Sequence, residues 1–285
     1  MAGLLDGLEN FGLKDVESME LYEEQAQAKQ AGTPSTPKVP VVSETDYLFD
    51  KSYDCPVCGE KIKARTLRAG KARLLHSDMD LRPVYENIEP LKYDVILCPH
   101  CGYAALSRFF SSPTSSQVKE IKANISEAFK ASIKEQATYT YEEALYRYKL
   151  SLANTIVKHG KPSEKAYICL KTGWLLRSWQ EKLTAEKTPE GEKKLAGLKE
   201  QERSFLKNAL DGFLAARENE GYPMCGMDET TVEYLIAVLA MEFDQCDISS
   251  RIISSILASP IASSRMKDKA RDVKEQLLAK MKDKG

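Results

Sequence analysis

The assembled signatures of catalysis are missing from this sequence. It contains no glycine-rich phosphate loop and no Ser/His/Asp arrangement, and its three histidines stand apart at His76, His100 and His159. No stretch brings a nucleophile, a base and oxyanion donors together, so the expectation is a binding protein, not an enzyme. Long apolar runs are missing too. The longest uncharged segments are 95–107 and 252–264, the second broken by five serines and a proline, and neither approaches the roughly 18 apolar residues of a membrane span. The N-terminus lacks the basic start and unbroken apolar core of a secretory signal. Net charge is almost nil, with 41 Lys+Arg against 42 Asp+Glu, which removes any global reason to expect nucleic acid or an anionic membrane as partner. A cytoplasmic, reducing setting is expected, and there repeated Cys-x-x-Cys pairs favour metal over disulfides.

Two matched stretches stand out against these absences: Cys55-Pro56-Val57-Cys58-Gly59 and Cys98-Pro99-His100-Cys101-Gly102. In each, proline restricts the entry φ and glycine lets the chain leave with φ > 0, so both sulfurs can point at one ion. Four thiolates from two such knuckles make a closed tetrahedral shell, suited to one structural Zn2+ with no position left for water or substrate. Iron is compatible with the same sulfur set. The competing readings are buried free thiols and a thiol-based redox or metal sensor. The second lacks support, because no βαβ pattern surrounds the first pair. His100 is expected to face solvent or tune the sulfurs, and Cys169, Cys225 and Cys246 read as small core residues.

Organisation follows from composition. Residues 1–30 read as an acidic N-terminal helical tail and 31–43 as a Pro-rich linker. Residues 44–112 read as a β domain: strands approach the first knuckle, Lys61 to Leu67 alternates as a half-exposed strand, Lys71 to Leu75 is a candidate return strand, and Tyr93 to Leu97 runs into the second knuckle. Between them, 78–90 is a loop shaped by Pro83 and Pro90. From 116 to 283 the pattern is helical. Val118, Ile121, Ile125, Phe129 and Ile133 form the first stripe, further helices span 140–152, 166–177, 192–219, 230–243 and 247–258, and a basic one closes the chain from about Ser264. A loop is expected over 184–191. The run 141–152 resembles the second helix of a tetratricopeptide repeat and 166–177 a first one, with Gly173 where the helices touch.

Six cations, Lys61, Lys63, Arg65, Arg68, Lys71 and Arg73, lie within 13 residues. The first five are the candidate contacts if the ribbon binds nucleic acid. The competing reading is preferred: a solvated strand face that offsets the charge of a zinc–thiolate site, because no aromatic stacking residues are interleaved.

The two knuckles, the residues Arg73, Asp78, Asp80, Pro83, Tyr85, Pro90, Tyr93 and Asp94 between them, and the run 98–105 together resemble a bacterial family known mainly from Firmicutes and described as a domain of unknown function. The resemblance covers about 46–258 and includes Leu170-Lys171-x-Gly173-Trp174-Leu175-x-Arg177. Arg251 departs from it, standing where a small alanine is expected. It implies an α+β protein, a small zinc-ribbon or rubredoxin-like β domain followed by an all-α tetratricopeptide-like helical bundle, and it implies no activity. The functional expectation is a zinc-binding adaptor whose helical domain docks a protein or peptide. Arg73, Asp78, Asp80, Arg82, Tyr85 and Tyr93 are the candidate interaction residues on the loop that the knuckles hold.

Overall fold

A computed structural model describes residues 43–111, 113–130 and 136–282. The acidic tail, the linker up to residue 42, and Ile133 lie outside the described residues. The chain is α+β, with short antiparallel strands first and helices after.

Strand β1 (Leu48–Asp54) pairs antiparallel with β2 (Lys61–Leu67), from Leu48 opposite Leu67 to Asp54 opposite Lys61. The first knuckle is therefore itself the hairpin turn. This corrects the expected pairing of 61–67 with 71–75: β2 returns on β1, and β3 (Leu74–Ser77) pairs instead with β4 (Pro83–Tyr85). Gly70 does turn the chain, at φ 72°, but the strand after it finds its partner beyond the loop. A 3-10 turn, Pro90–Tyr93, takes the start of the expected third strand, because Pro90 presets φ at its first position,. What remains is β5 (Val95–Leu97), paired with β6 (Ala104–Leu106) across the second knuckle.

Both strands of that second hairpin are fully buried, and their period of two sorts their side chains onto two faces. Val95, Leu97, Ala104 and Leu106 join the large core shared with the helices, whereas Ile96 and Ala105 join the core around the cysteines. The β5–β6 ribbon is thus a common wall between the two cores, and the described residues belong to one compact unit.

Seven α-helices follow among the described residues. α1 (Ser115–Ile121) starts on a Thr114/Gln117 capping box and continues as a π turn through Ser126. α2 (Tyr141–Val157) is capped the same way by Thr140 and Glu143 and packs on β5 and β6. α3 (Pro162–Glu186) and α4 (Pro189–Asn219) form the longest pair. The loop expected over 184–191 shrinks to Lys187 and Thr188. Residues that signal a loop here serve as helix ends: Lys187 adopts φ 50°, Pro189 is the first helical residue, and Thr188 Oγ1 accepts the Gly191 N–H at 3.1 Å,. Gly173 does lie where α3 meets α4, since a Cβ there would stand 2.5 Å from Leu206 Cδ2. α5 (Glu229–Glu242), α6 (Cys246–Ala258) and α7 (Ser264–Lys282) complete the chain, each packed on the next.

Candidate metal centre

The two knuckles share one backbone design. In the first, Cys55 N–H donates to Glu60 O and Gly59 N–H to Cys55 O; in the second, Cys98 N–H donates to Tyr103 O and Gly102 N–H to Cys98 O, all at 2.8–3.0 Å. Gly59 has φ 83° and Gly102 φ 73°, the left-handed exit that the sequence motif requires. Gly102 is constrained further. A Cβ there would meet the Phe129 ring at 2.5 Å, and its carbonyl accepts the Asn154 side-chain N–H from α2 at 3.0 Å. Helix α2 is thereby tied to the second knuckle.

These turns bring the four sulfurs together. Cys55 Sγ lies 3.7 Å from Cys101 Sγ, Cys58 Sγ lies 3.6 Å from Cys98 Sγ, and all four fall within 4.8 Å of one another. A tetrahedral ion with metal–sulfur bonds of about 2.3 Å would set its ligands about 3.8 Å apart. The donor set therefore fits such an ion, and these four cysteines are free thiols, not disulfides. Cys55, Cys98 and Cys101 are buried beside Val57, Ile62, Ala64, Ile96, Tyr103, Phe110 and Ile121.

Crowding sets the ionisation. Cys55 is held far below the usual thiol range by hydrogen bonds from Cys101 and then Cys98, with further help from the backbone N–H groups of Cys58 and Val57. At Cys98 the hydrogen bond with Cys101 pulls down, but that with Cys55 and burial outweigh it and push the thiol up to about 12. Cys101 is pushed up as well, by Cys55, Cys98 and burial. Cys55 thus forms a thiolate readily while Cys98 and Cys101 resist ionisation, so ionising these three together calls for a cation at the centre,. The other cysteines lack this setting. Burial alone raises Cys169 to about 12, and Cys225 is raised to about 11, again mainly by burial, which leaves both as poor nucleophiles.

The candidate interaction residues between the knuckles are placed mostly inside. Asp80 and Arg82 are each 3% exposed and Tyr93 is buried. Arg82 donates from Nε to Asp78 Oδ2 at 2.6 Å and from Nη1 to Ser178 Oγ at 2.8 Å and Glu181 Oε2 at 2.9 Å. Arg177 bonds Asp80 Oδ2 at 2.9 Å and Glu202 Oε1 at 2.7 Å, and Trp174 Nε1 donates to the same Asp80 oxygen at 2.9 Å. Burial would raise the Asp78 carboxyl, but the Arg82 and Arg177 guanidinium groups outweigh it and hold it below its ordinary range. Tyr93 OH donates to Glu44 at 2.8 Å and accepts from the Tyr139 N–H. Arg73 is exposed and faces Glu86 at 3.7 Å, and Tyr85 is half-buried. Sequence reasoning missed Ser178, Glu181 and Glu202 in this network. The first two share a helix face with Trp174 and Arg177 at spacings of three and four, a signal that was legible; Glu202 comes from α4 and carried none.

The basic strand is divided. Lys61 and Lys63 are exposed on β2, and Lys71 is exposed beyond it. Arg65 pairs with Asp50 at 3.0 Å and donates to Gln136 O, while Arg68 Nε donates to Leu48 O at 3.0 Å. His100 is exposed and stands outside the four-sulfur set.

Strands, wall and cluster define a class: an α+β protein with a four-cysteine centre fit for a metal ion, continued by a helical region. The chain belongs to the bacterial family described as "Uncharacterized protein conserved in bacteria (DUF2225)", which matches residues 48–277. That span takes in both knuckles and the ionic network and reaches into α7. A curated relative, an "Uncharacterized protein" of Borreliella burgdorferi, is 30% identical over 91 residues, 29% of this chain and 32% of that protein. The match thus spans about a third of that relative. No solved structure shows a significant match. No helix among the described residues is long and apolar enough to cross a membrane.

Proposed function

We propose that this protein is a non-enzymatic adaptor in which one zinc ion, held by Cys55, Cys58, Cys98 and Cys101, fixes the β segment, and the helical region binds a protein or peptide. The observation that carries the reading is the closed set of four sulfurs, three of them buried in an apolar core. Such a set leaves an ion no free position for water or substrate and so makes it a structural element. Zinc is the ion favoured by four thiolates in a reducing setting.

The partner side is supported by a cleft of about 380 Å3 between α3, α5, α7 and the loop after β3. Its walls combine Val238 and Met241 with the charged Arg177, Glu242 and Lys280, a mix suited to a peptide with an apolar anchor and flanking charges. Metal content and visible absorption of the purified chain distinguish colourless zinc from coloured iron. Affinity capture with the full metal-loaded chain, beside Met241→Glu as the cleft control, tests the partner. The reading predicts a partner that the wild-type chain retains and the variant loses. Capture that is empty, or unchanged by the variant, refutes the helical docking role.

A further inference from the structure

A second cleft, of about 250 Å3, opens between β2, the second knuckle and α2, lined among others by Lys61, Lys63, Arg65, His100, Tyr139 and Arg147. Alternation along β2 sends Ile62 and Ala64 into the cysteine-side core and leaves Lys61 and Lys63 exposed,. Arg147 enters from α2, an element chosen by a different part of the sequence. It is only 7% exposed. Its guanidinium lies over the Tyr139 ring, 3.9 Å from the centroid, and Tyr139 is fixed in turn by stacking on Tyr93 at 5.2 Å.

Arg147 has no hydrogen bond and no ion pair among the described residues. None of its nitrogens is among the enclosed side-chain atoms that lack a partner, so the guanidinium reaches the water of the cleft and holds its donors ready for a ligand there. Among the described residues the one carboxylate lining the cleft, Asp50, is engaged by Arg65 at 3.0 Å. A guanidinium carries its N–H donors in one planar fork, which matches two oxygens of a phosphate.

We propose that this cleft binds the phosphate group of a small phosphorylated molecule, with Arg147 as the central ligand and Lys61 and Lys63 at the mouth. A small ligand is favoured over a nucleic-acid strand for two reasons. The Tyr139 ring is already occupied by Arg147 and Tyr93, so it offers no platform for a base. Beyond the cleft the basic run breaks up, with Arg68 turned to Leu48 O and Arg73 to Glu86.

The test is calorimetric titration of the full metal-loaded chain at low salt with inorganic phosphate, pyrophosphate, a nucleoside 5′-monophosphate and the phosphate-free nucleoside. The phosphate-bearing probes bind with a Kd of about 1 mM or tighter, the nucleoside does not, and bound phosphate raises Tm. Arg147→Met weakens binding at least about tenfold, the effect of losing a charge-assisted hydrogen bond, and Lys63→Gln weakens it about two- to fivefold. Lys63 is exposed, so that variant stays folded should Arg147→Met fail to. The proposal is overturned if no phosphate-bearing probe binds, if affinity is unchanged in Lys63→Gln and in a folded Arg147→Met, or if a single-stranded oligonucleotide binds and phosphate neither binds nor competes.

Discussion

The two knuckles offer a comparison in which one protein supplies its own control. Gly59 and Gly102 hold the same position in the same motif, both with positive φ, yet their surroundings differ. A Cβ on Gly59 would meet nothing within 4 Å, whereas one on Gly102 would meet Phe129 Cδ2 and Cγ at 2.5 Å. Gly59→Ala therefore carries only the backbone penalty of a left-handed residue, about 1–2 kcal/mol. Gly102→Ala carries that penalty plus overpacking against the Phe129 ring, about 1–3 kcal/mol more, for a total of about 2–5 kcal/mol. Urea unfolding of both variants, each saturated with zinc, reads the difference. Pairing Gly102→Ala with Phe129→Ala removes the clash and brings the Gly102 cost back toward that of Gly59. Equal losses at the two glycines, or no such coupling with Phe129, would refute the claim that helix-side packing distinguishes the second knuckle from the first.

If the proposed ion is bound, stripping metal with a strong chelator, or Cys98→Ser, loosens the β1–β2 and β5–β6 hairpins together, and hydrogen exchange shows protection lost first in those strands. Arg82→Met removes one of two guanidinium partners from Asp78, which keeps Arg177 at 3.3 Å, and the partner of a Glu181 side chain that is 54% exposed, and so lowers stability by about 1–2 kcal/mol in denaturant titration; no measurable loss would show the network to be dispensable. Asp78 has a folded-state pKa depressed from its ordinary 3.8, so its contribution is present above that value and lost as pH falls through the lower folded value. Asp78→Asn accordingly flattens the acid limb of stability against pH below about 4, read by thermal unfolding across that range. Gly173→Ala forces α3 and α4 apart at Leu206 and lowers Tm, although alanine is by itself the better helix former.

Sequence spacing made the four-cysteine cluster legible because a knuckle is a local device: proline, glycine and two thiols within five residues shape the turn before any tertiary contact forms. Helix positions were legible for a similar reason, and Gly173 was readable as a contact point because 166–177 resembles the first helix of a tetratricopeptide repeat, whose small residue lies where helices touch. Strand pairing was less legible. Lys71 to Leu75 pairs elsewhere because the first knuckle already closes β1 on β2, and short strands carry little information about their partners. The loop residues 78–82 gave no sign in themselves of being buried, since their partners Trp174, Arg177, Ser178 and Glu181 lie about a hundred positions away.

By itself, then, the amino-acid sequence determined the paired knuckles, the left-handed glycines at their exits, and the change from β to helix after residue 115, all features decided within one turn of chain. Only the tertiary structure decided that the second hairpin would be a wall between two cores, that Asp80 and Arg82 would turn inward to α3, and that Arg147, without a hydrogen bond or ion pair among the described residues, would share a cleft with Lys61 and Lys63. Those outcomes depend on which distant surfaces meet: the wall on apolar faces finding two cores, and the charged residues on a balance between desolvation and finding a partner.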